Sequence, residues 1–520
     1  IDLGLHLEKA DNDSCKESFF AKKKHFFILS SAGKPIYSMH GSDDILTVYS
    51  GIIQTIVSFF QYNPDGDTEQ LKSFVAGDNV EKVRFLFLNK SPIILMASSS
   101  LGESDIQLNQ QLDFLYNFLL TTLSKPHIDK VFQRRENFDL RKLLGKADIA
   151  CLDSICNDLA NFNNPGLIIG GLECVKIRKS IRNKIEGMLL SNKSENLLYG
   201  LLVAPNGRLI TVLRPRRHTL HTSDLQLLFS MIFNTNTFKS ASKKDQDLEE
   251  GEQQRQQLTS NEEFWVPVCL PKFNPNGFLY SFIQFIDLKD ERLMKLHDMN
   301  MDVLKNKNIS DDSSKITIIL ISAYKDSFFE MRKIANNIIK SLKLERSIYR
   351  ELFRSVVGTQ VSPIDIPAPL VKHFIFKSKK YTQFVFSRLQ GQEVDEDKEV
   401  DKGQLMMIYS YLHSRMLFNN RSSGGSTNAN SASRANNRVR SANNGKDNDF
   451  MESNFINQVK WKYAKDTLIG LLISTSNYEI YLINNGGIVD KSLLVKSCKN
   501  IIRWCRKNEE RLFICGGAVF

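Results

Sequence analysis

Few residues in this chain have the types and spacing that chemistry demands. His218 and His221 in "HTLH" could offer two imidazoles to one metal ion, but no cysteine or third ligand lies nearby. They read as surface at a helix start. The acidic run "EVDEDKEVD" (393–401) lacks the glycine alternation and closing glutamate of a calcium loop. "GLIIGG" (166–171) lacks the lysine of a phosphate-binding loop and reads as a turn, and no GxSxG, HExxH or GxGxxG pattern occurs. Eight cysteines, at 15, 151, 156, 174, 269, 498, 505 and 515, form no CxxC pair and read as reduced thiols, mostly core filler. No metal, cofactor or nucleophile is therefore expected.

Basic clusters carry more signal. They are "KKKH" (22–25), "KIRKSIRNK" (176–184), "RPRRH" (214–218), "KSKK" (377–380) and the arginines near Trp504. Net charge is +11 with pI about 9.0, which favours an anionic partner. Nucleic acid would want aromatics interleaved on a strand platform, or a helix-turn-helix. Neither pattern is present, so an acidic lipid leaflet fits better. Trp265, at a strand start after a long polar segment, reads either as a core residue or as an exposed anchor for a protein partner.

The elements that must position these residues come from 520 residues, 42% of them hydrophobic, with 34 Phe. That length suits about two to four domains. Mean hydropathy is −0.27, and no apolar run approaches the roughly 18–20 residues of a membrane span, so the chain is read as soluble. The start shows no initiator Met and no secretory pattern, so a natural N-terminal segment is expected to be missing from the chain. The scattered cysteines read as cytosolic, which leaves the sequons at Asn192 and Asn308 silent.

A strand, glycine-basic turn, strand and helix occur in "HFFILSSAGKPIYSM" and again in "LLYGLLVAPNGRLITVLRP". A weaker copy, "HFIFKSKKYTQFVFS", lacks the glycine. The turns recur about 174 and about 172 residues apart, the signature of a repeated domain. In the first copy, Ile45, Val48, Tyr49, Ile52, Ile53, Ile56, Val57 and Phe60 keep helical periodicity. Ser42 is a fitting cap, with Asp43 and Asp44 in the positive first turn. Hairpins outnumber crossovers, so each unit should be an antiparallel sheet flanked by helices, an α+β (α/β sandwich) fold. The expected division is a tail (1–22), a first domain (23–145), a linker (146–172), a second domain (173–345, insert 238–263) and a third (346–520, insert 419–450).

"KHFFILSSAGKPIYSMHGSDD", "WVPVCLPKFNPNGFLYSFI" and the C-terminal "IRWCRKNEERLFICGGAVF" resemble the fungal Mon-one vacuolar fusion family, which has three longin domains. The resemblance spans nearly the whole chain and departs from the family in the third unit. It implies a five-stranded antiparallel sheet per domain, with one helix on one face and two on the other. It further implies one half of a heterodimer with a Ccz-one-type longin protein. That pair is a guanine nucleotide exchange factor for a late-endosomal Rab-seven-type GTPase, acting in endosome maturation, vacuole fusion and autophagosome–vacuole fusion.

On this resemblance the first domain faces the GTPase through Lys34, Ile36, Tyr37, Met39, His40, Asp43, Asp44, Val48 and Tyr49. Val48 and Tyr49 are equally readable as core. Lys176, Arg178, Lys179, Arg214, Arg216 and Arg217 would meet a phosphoinositide membrane, and Trp265 would anchor an early-endosomal Rab that recruits the complex. Such a protein sits peripherally on late endosome, vacuole and autophagosome membranes. The competing readings are a longin-based tether or coat scaffold without exchange activity, and an enzyme with an unrecognised site.

Overall fold

A computed structural model describes residues 19, 21–41, 43–61, 71–77, 82–234, 263–289, 291–297, 314–358, 361, 366, 368, 371–387, 399–423, 455–463, 466–485 and 491–520. The expected cap Ser42, most of the acidic run, and most of both polar inserts lie outside them.

Three sheets share one strand order. The first runs β2 (Pro35–Ser38), β1 (Lys24–Ser30), β5 (Ile93–Ser99), β4 (Val83–Lys90), β3 (Ser73–Ala76), all antiparallel. The second repeats this second-first-fifth-fourth-third order with β8 (Arg208–Arg214), β7 (Leu197–Ala204), β11 (Lys315–Ser322), β10 (Asn274–Asp287) and β9 (Glu263–Leu270). The third does so with β13 (Gln383–Phe386), β12 (Val371–Ser378), β16 (Tyr478–Asn485), β15 (Asp466–Ser474) and β14 (Phe455–Tyr463). The repeat seen as spacing in the sequence is thus a repeat of topology.

Each first hairpin leads into a helix: α1 (Asp43–Gln61), α7 (Thr222–Asn234) and α11 (Glu399–Ser423). The turn glycines have a physical job here. Gly33 has φ +79°, and a Cβ there would lie 3.1 Å from Gln54 of α1. Gly207 has φ +76° and would meet Phe229 of α7 at 3.2 Å. A side chain would strain the backbone and crowd the helix beneath. In the third copy Thr382 takes the left-handed position, with φ 53°. The third turn is thus made without a glycine, at a strain cost a β-branched residue rarely bears.

The chain forms two compact units. In the first, Phe27, Leu29, Phe87 and Met96 face α1 through Leu46, Ile53 and Val57. The helix α2 (Asp105–Leu123) contacts β4 and β5 and is closed at its start by a Ser104–Gln107 capping box. α3 (Lys125–Arg134) follows it. The expected linker is then largely helical: α4 (Lys146–Asn161) packs on α2 and buries Cys151, Leu152, Ile155 and Cys156. A short helix, α5 (Pro165–Ile169), ends at Gly170 in the left-handed conformation.

The second unit holds the third domain and most of the second, tied together by exchanged strands. β6 (Leu172–Glu173) pairs parallel with β13 of the third sheet. The C-terminal β17 (Ala518–Val519) pairs parallel with β8 of the second. Residues 174–178 are not helical, because Val175 donates to Leu209 O and Ile177 to Arg511 O. The helix α6 (Lys179–Ser191) starts later. α6, α9 (Phe328–Leu344) and α10 (Arg346–Phe353) share one core with β7, β8, β10 and β11. α10 therefore belongs to the second domain's core, where the expected boundary gave it to the third. Elsewhere, α8 (Glu291–Leu296) follows β10, and α12 (Lys491–Lys507) and α13 (Glu509–Leu512) follow β16.

Candidate functional site

The first hairpin divides its predicted contact residues between core and surface. Ile36 and Tyr37 are 2% and 3% exposed, so neither presents a side chain to a partner. Their strand pairs with β1, and the Tyr37 hydroxyl donates to Asp153 of α4 at 2.7 Å. Lys34 is exposed and its ammonium donates to Asn137 O. Met39 and His40 are half-buried; His40 meets the buried His25 ring edge-on at 5.4 Å. Burial, with His40 and Lys22 close by, holds His25 down at about 4. Asp44 is exposed, while the side chain of Asp43 falls outside the described residues.

On α1 the apolar arc is wider than the sheet can cover. Leu46, Ser50, Ile53 and Val57 form the buried line, and Ile45, Tyr49 and Ile56 flank it half-buried. Tyr49 packs its ring on Phe19 and Phe27, so it serves the core. Val48 (60%), Ile52 (48%), Phe59 (75%) and Phe60 (46%) are exposed. Helical periodicity groups both sets together, since neighbouring apolar positions differ in burial only once the sheet is in place. Phe59 went unnoticed, although the "FF" pair at the end of an already complete apolar face could have marked it.

Of the basic residues, several are structural. Lys24 is buried and pairs with Glu103 at 2.8 Å. Arg182 is buried and donates to the carbonyls of Val175, Ile210, Glu510 and Phe513, joining the second and third domains. Lys377 is buried beside Glu479 and donates to Ile169 O. One member each of "KKKH", "KIRKSIRNK" and "KSKK" is thus interior and presents no charge to an anionic partner. These cations sit inside because a carboxylate or several carbonyls meet each one.

Lys176 lies over the Trp504 ring at 5.5 Å. Arg178 pairs with Glu351 and Lys179 with Glu510, so part of the predicted membrane set is engaged within the chain. The backbones of Arg214 and Arg216 bracket Phe520, while the Arg216 and Arg217 side chains are exposed. Trp265 resolves between its two readings. Its half-buried ring stacks on Tyr280 at 5.8 Å and meets Phe328 at 5.9 Å, at the rim of the second core. Phe329 and Tyr324 are exposed near that rim.

Among the described residues no group of three or more metal-ligating side chains forms, and no helix is long and apolar enough to cross a membrane. Cys151, Cys156, Cys174, Cys269, Cys498 and Cys505 are buried free thiols. Burial pushes Cys156 and Cys174 up to about 12, which leaves them as inert filler.

Three antiparallel-rich sheets in one strand order, each with a helix after its first hairpin, define a triple longin protein. Models for the first, second and third longin domains of FUZ, MON1 and HPS1 match residues 24–155, 195–340 and 370–509. The chain is 37% identical to the Vacuolar fusion protein MON1 of Saccharomyces cerevisiae, over 98% of this chain and 74% of the relative. It is 35% identical to that of Yarrowia lipolytica, over 97% and 76%. Against that of Candida albicans the identity is 31%, over 98% and 78%. The chain belongs to the MON1 family.

Proposed function

We propose that this chain is the MON1-type subunit of a heterodimeric guanine nucleotide exchange factor for a late-endosomal, Rab-seven-type GTPase, acting in vacuole fusion. The observation that carries the reading is the apolar outer face of α1. Val48, Ile52 and Phe59 are exposed on it, Phe60 is exposed beside Phe59 near the helix end, and Lys34 and Asp44 are exposed close by in the chain. Large exposed apolar patches mark protein interfaces. The vacuolar fusion name of the relatives supports the pathway.

Exchange needs no nucleophile. A factor that binds the nucleotide-free GTPase more tightly than the loaded form weakens nucleotide affinity by the same factor, through linkage. The first domain, with a Ccz-one-type partner, supplies the GTPase surface. Arg216 and Arg217 contribute to a phosphoinositide-membrane contact, and the aromatic rim around Trp265 receives an upstream early-endosomal Rab. The protein then acts peripherally on late endosomes, vacuoles and autophagosomes.

The test is release of a fluorescent GDP analogue from a purified late-endosomal Rab, with this chain and its partner present. Acceleration by the pair and not by either chain alone is expected. An unchanged release rate would sink the exchange reading and leave a longin-based tether or adaptor.

A further inference from the structure

The first hairpin is fastened along its length to the chain that follows α3. At the turn, the Lys34 ammonium donates to Asn137 O. In β2, the Tyr37 hydroxyl donates to Asp153 Oδ1 of α4 at 2.7 Å. At the start of β1, the Lys24 ammonium donates to Leu159 O at 3.3 Å, besides its pairing with Glu103. Between Asn137 and Asp153 in the chain, a 3₁₀ turn (Leu140–Leu143) lies against β2 and buries Leu140. Meanwhile the Gly33 turn passes close over Gln54 of α1.

β2 has only four residues, and its register against β1 breaks between Ile28 and Leu29. A short strand with a disrupted ladder gains little from main-chain pairing alone. Tyr37 supplies what the ladder lacks, because its ring is buried and its hydroxyl reaches an acceptor on α4. Burial, with the Cys156 thiol and the Asp153 carboxylate beside it, pushes that hydroxyl well above its ordinary range, so it remains a donor. A hydrogen bond to a carboxylate is about twice as strong as a neutral one. Asp153 is itself exposed, while Cys151, Leu152, Ile155 and Cys156 hold α4 in place against α2. The bond thus ties a weakly paired strand to a helix whose position is set by a separate apolar contact.

We propose that Asp153 is a positioning residue for nucleotide exchange: through the Tyr37 hydroxyl, α4 sets the place of the hairpin that meets the GTPase. This role rests on the exchange reading above. It gives part of the stretch expected as a linker a share in the exchange surface, although Asp153 acts through Tyr37 and touches no GTPase. A merely structural bond and a positioning one differ in kinetics. Loss of folded protein lowers kcat at constant KM for the GTPase, whereas a misplaced surface raises KM and leaves the folded fraction alone.

Release of a fluorescent GDP analogue by the full chain with its partner, measured across GTPase concentrations, tests it. Tyr37→Phe keeps the ring and loses only the hydroxyl, and Asp153→Ala loses the acceptor. Each should raise KM by about tenfold, the low end for a bond to a charged group, at unchanged kcat. The melting temperature should fall by no more than about 4 °C. The double variant should be no worse than either single one, since both break the same bond. Asp153→Asn keeps the Oδ1 acceptor and should return KM to within about threefold of wild type, which covers the case of an Asp153→Ala chain that does not fold. Amide hydrogen exchange at residues 36–38 should quicken alike in both single variants, with no GTPase present. Unmoved KM or unmoved amide protection in both variants overturns the positioning role and leaves the exchange reading intact. No acceleration by the wild-type pair overturns the exchange reading and the role with it.

Discussion

α1, α7 and α11 occupy the same place in three copies of one domain, yet they meet their surroundings differently. α7 buries Leu225, Leu227, Leu228, Phe229 and Ile232, and α11 buries Leu405, Met406, Ile408, Tyr409, Leu412 and Met416, leaving Phe418 exposed near its end. α1 buries one line of residues and leaves Val48, Ile52, Phe59 and Phe60 in solvent. The sheet edges differ in the same direction. β8 and β13 each gain a parallel strand from elsewhere in the chain, whereas β2 is the outermost strand of its sheet. Repetition fixes the fold of each copy; the neighbours each copy has within the chain decide which faces remain for partners.

Charges on the two kinds of helix give the largest contrast. Ile52→Asp/Phe59→Asp should abolish partner-dependent nucleotide release while the melting temperature moves by no more than about 4 °C, since exposed substitutions are nearly neutral to stability. Leu228→Asp on α7 should instead destabilise the second domain by about 4 kcal/mol, visible as loss of soluble protein. If both variants fold and both lose exchange, the contrast between the helices collapses.

A second prediction concerns the joint between the second and third domains. Arg182→Ala strands the carbonyls of Val175, Ile210, Glu510 and Phe513 and should cost about 3 to 5 kcal/mol in denaturant unfolding. Arg182→Lys should recover little of it, because one ammonium cannot reach carbonyls spread around a planar fork.

Acid should act on both units. His413 donates or accepts at the Tyr481 hydroxyl, 2.7 Å away, and burial holds it down at about 4, below the ordinary 6.5. The neutral ring is the folded form, so its stabilisation is complete above about pH 6.5. It is lost as pH falls toward 4, where the unfolded chain takes up the proton first. The loss is at most about 3 kcal/mol, and His413→Gln should flatten it in melts taken across that range. His25 predicts the same sign in the first unit. Near the carboxylate Glu479, burial pushes its pKa up, but Lys377, His413, the Tyr481 hydroxyl and Lys379 outweigh that and hold it low. Its contribution is therefore also lost on acidification, at lower pH.

The smallest effect belongs to the exposed arginines. Arg216→Glu and Arg217→Glu should each weaken flotation with acidic vesicles by about 1 kcal/mol, roughly fivefold, with nucleotide release in solution unchanged.

Much of this was legible in the chain. The Gly33 and Gly207 turns, the hairpins and the helices after them follow from local conformational preference, which a linear sequence carries. The linker and the third-domain boundary were not. α4 lacks a strong cap signal, and α10 is assigned to a domain only by the core it packs into. In the candidate surface, Lys34, His40, Asp44 and Val48 lie at least partly exposed, while Ile36 and Tyr37 are interior. An alternating strand read alone cannot show that helices cover both faces of its sheet.

By itself, then, the sequence determined three copies of an antiparallel sheet domain without a catalytic constellation, because periodicity, turn chemistry and missing motifs are local properties. Tertiary structure decided which cations are buried, which apolar arc of α1 stays open, which strands are exchanged, and that α4 holds Tyr37 of the first hairpin through Asp153. Those outcomes depend on contacts between residues as much as about 330 positions apart, as between Arg182 and Phe513, and no window along the chain contains them.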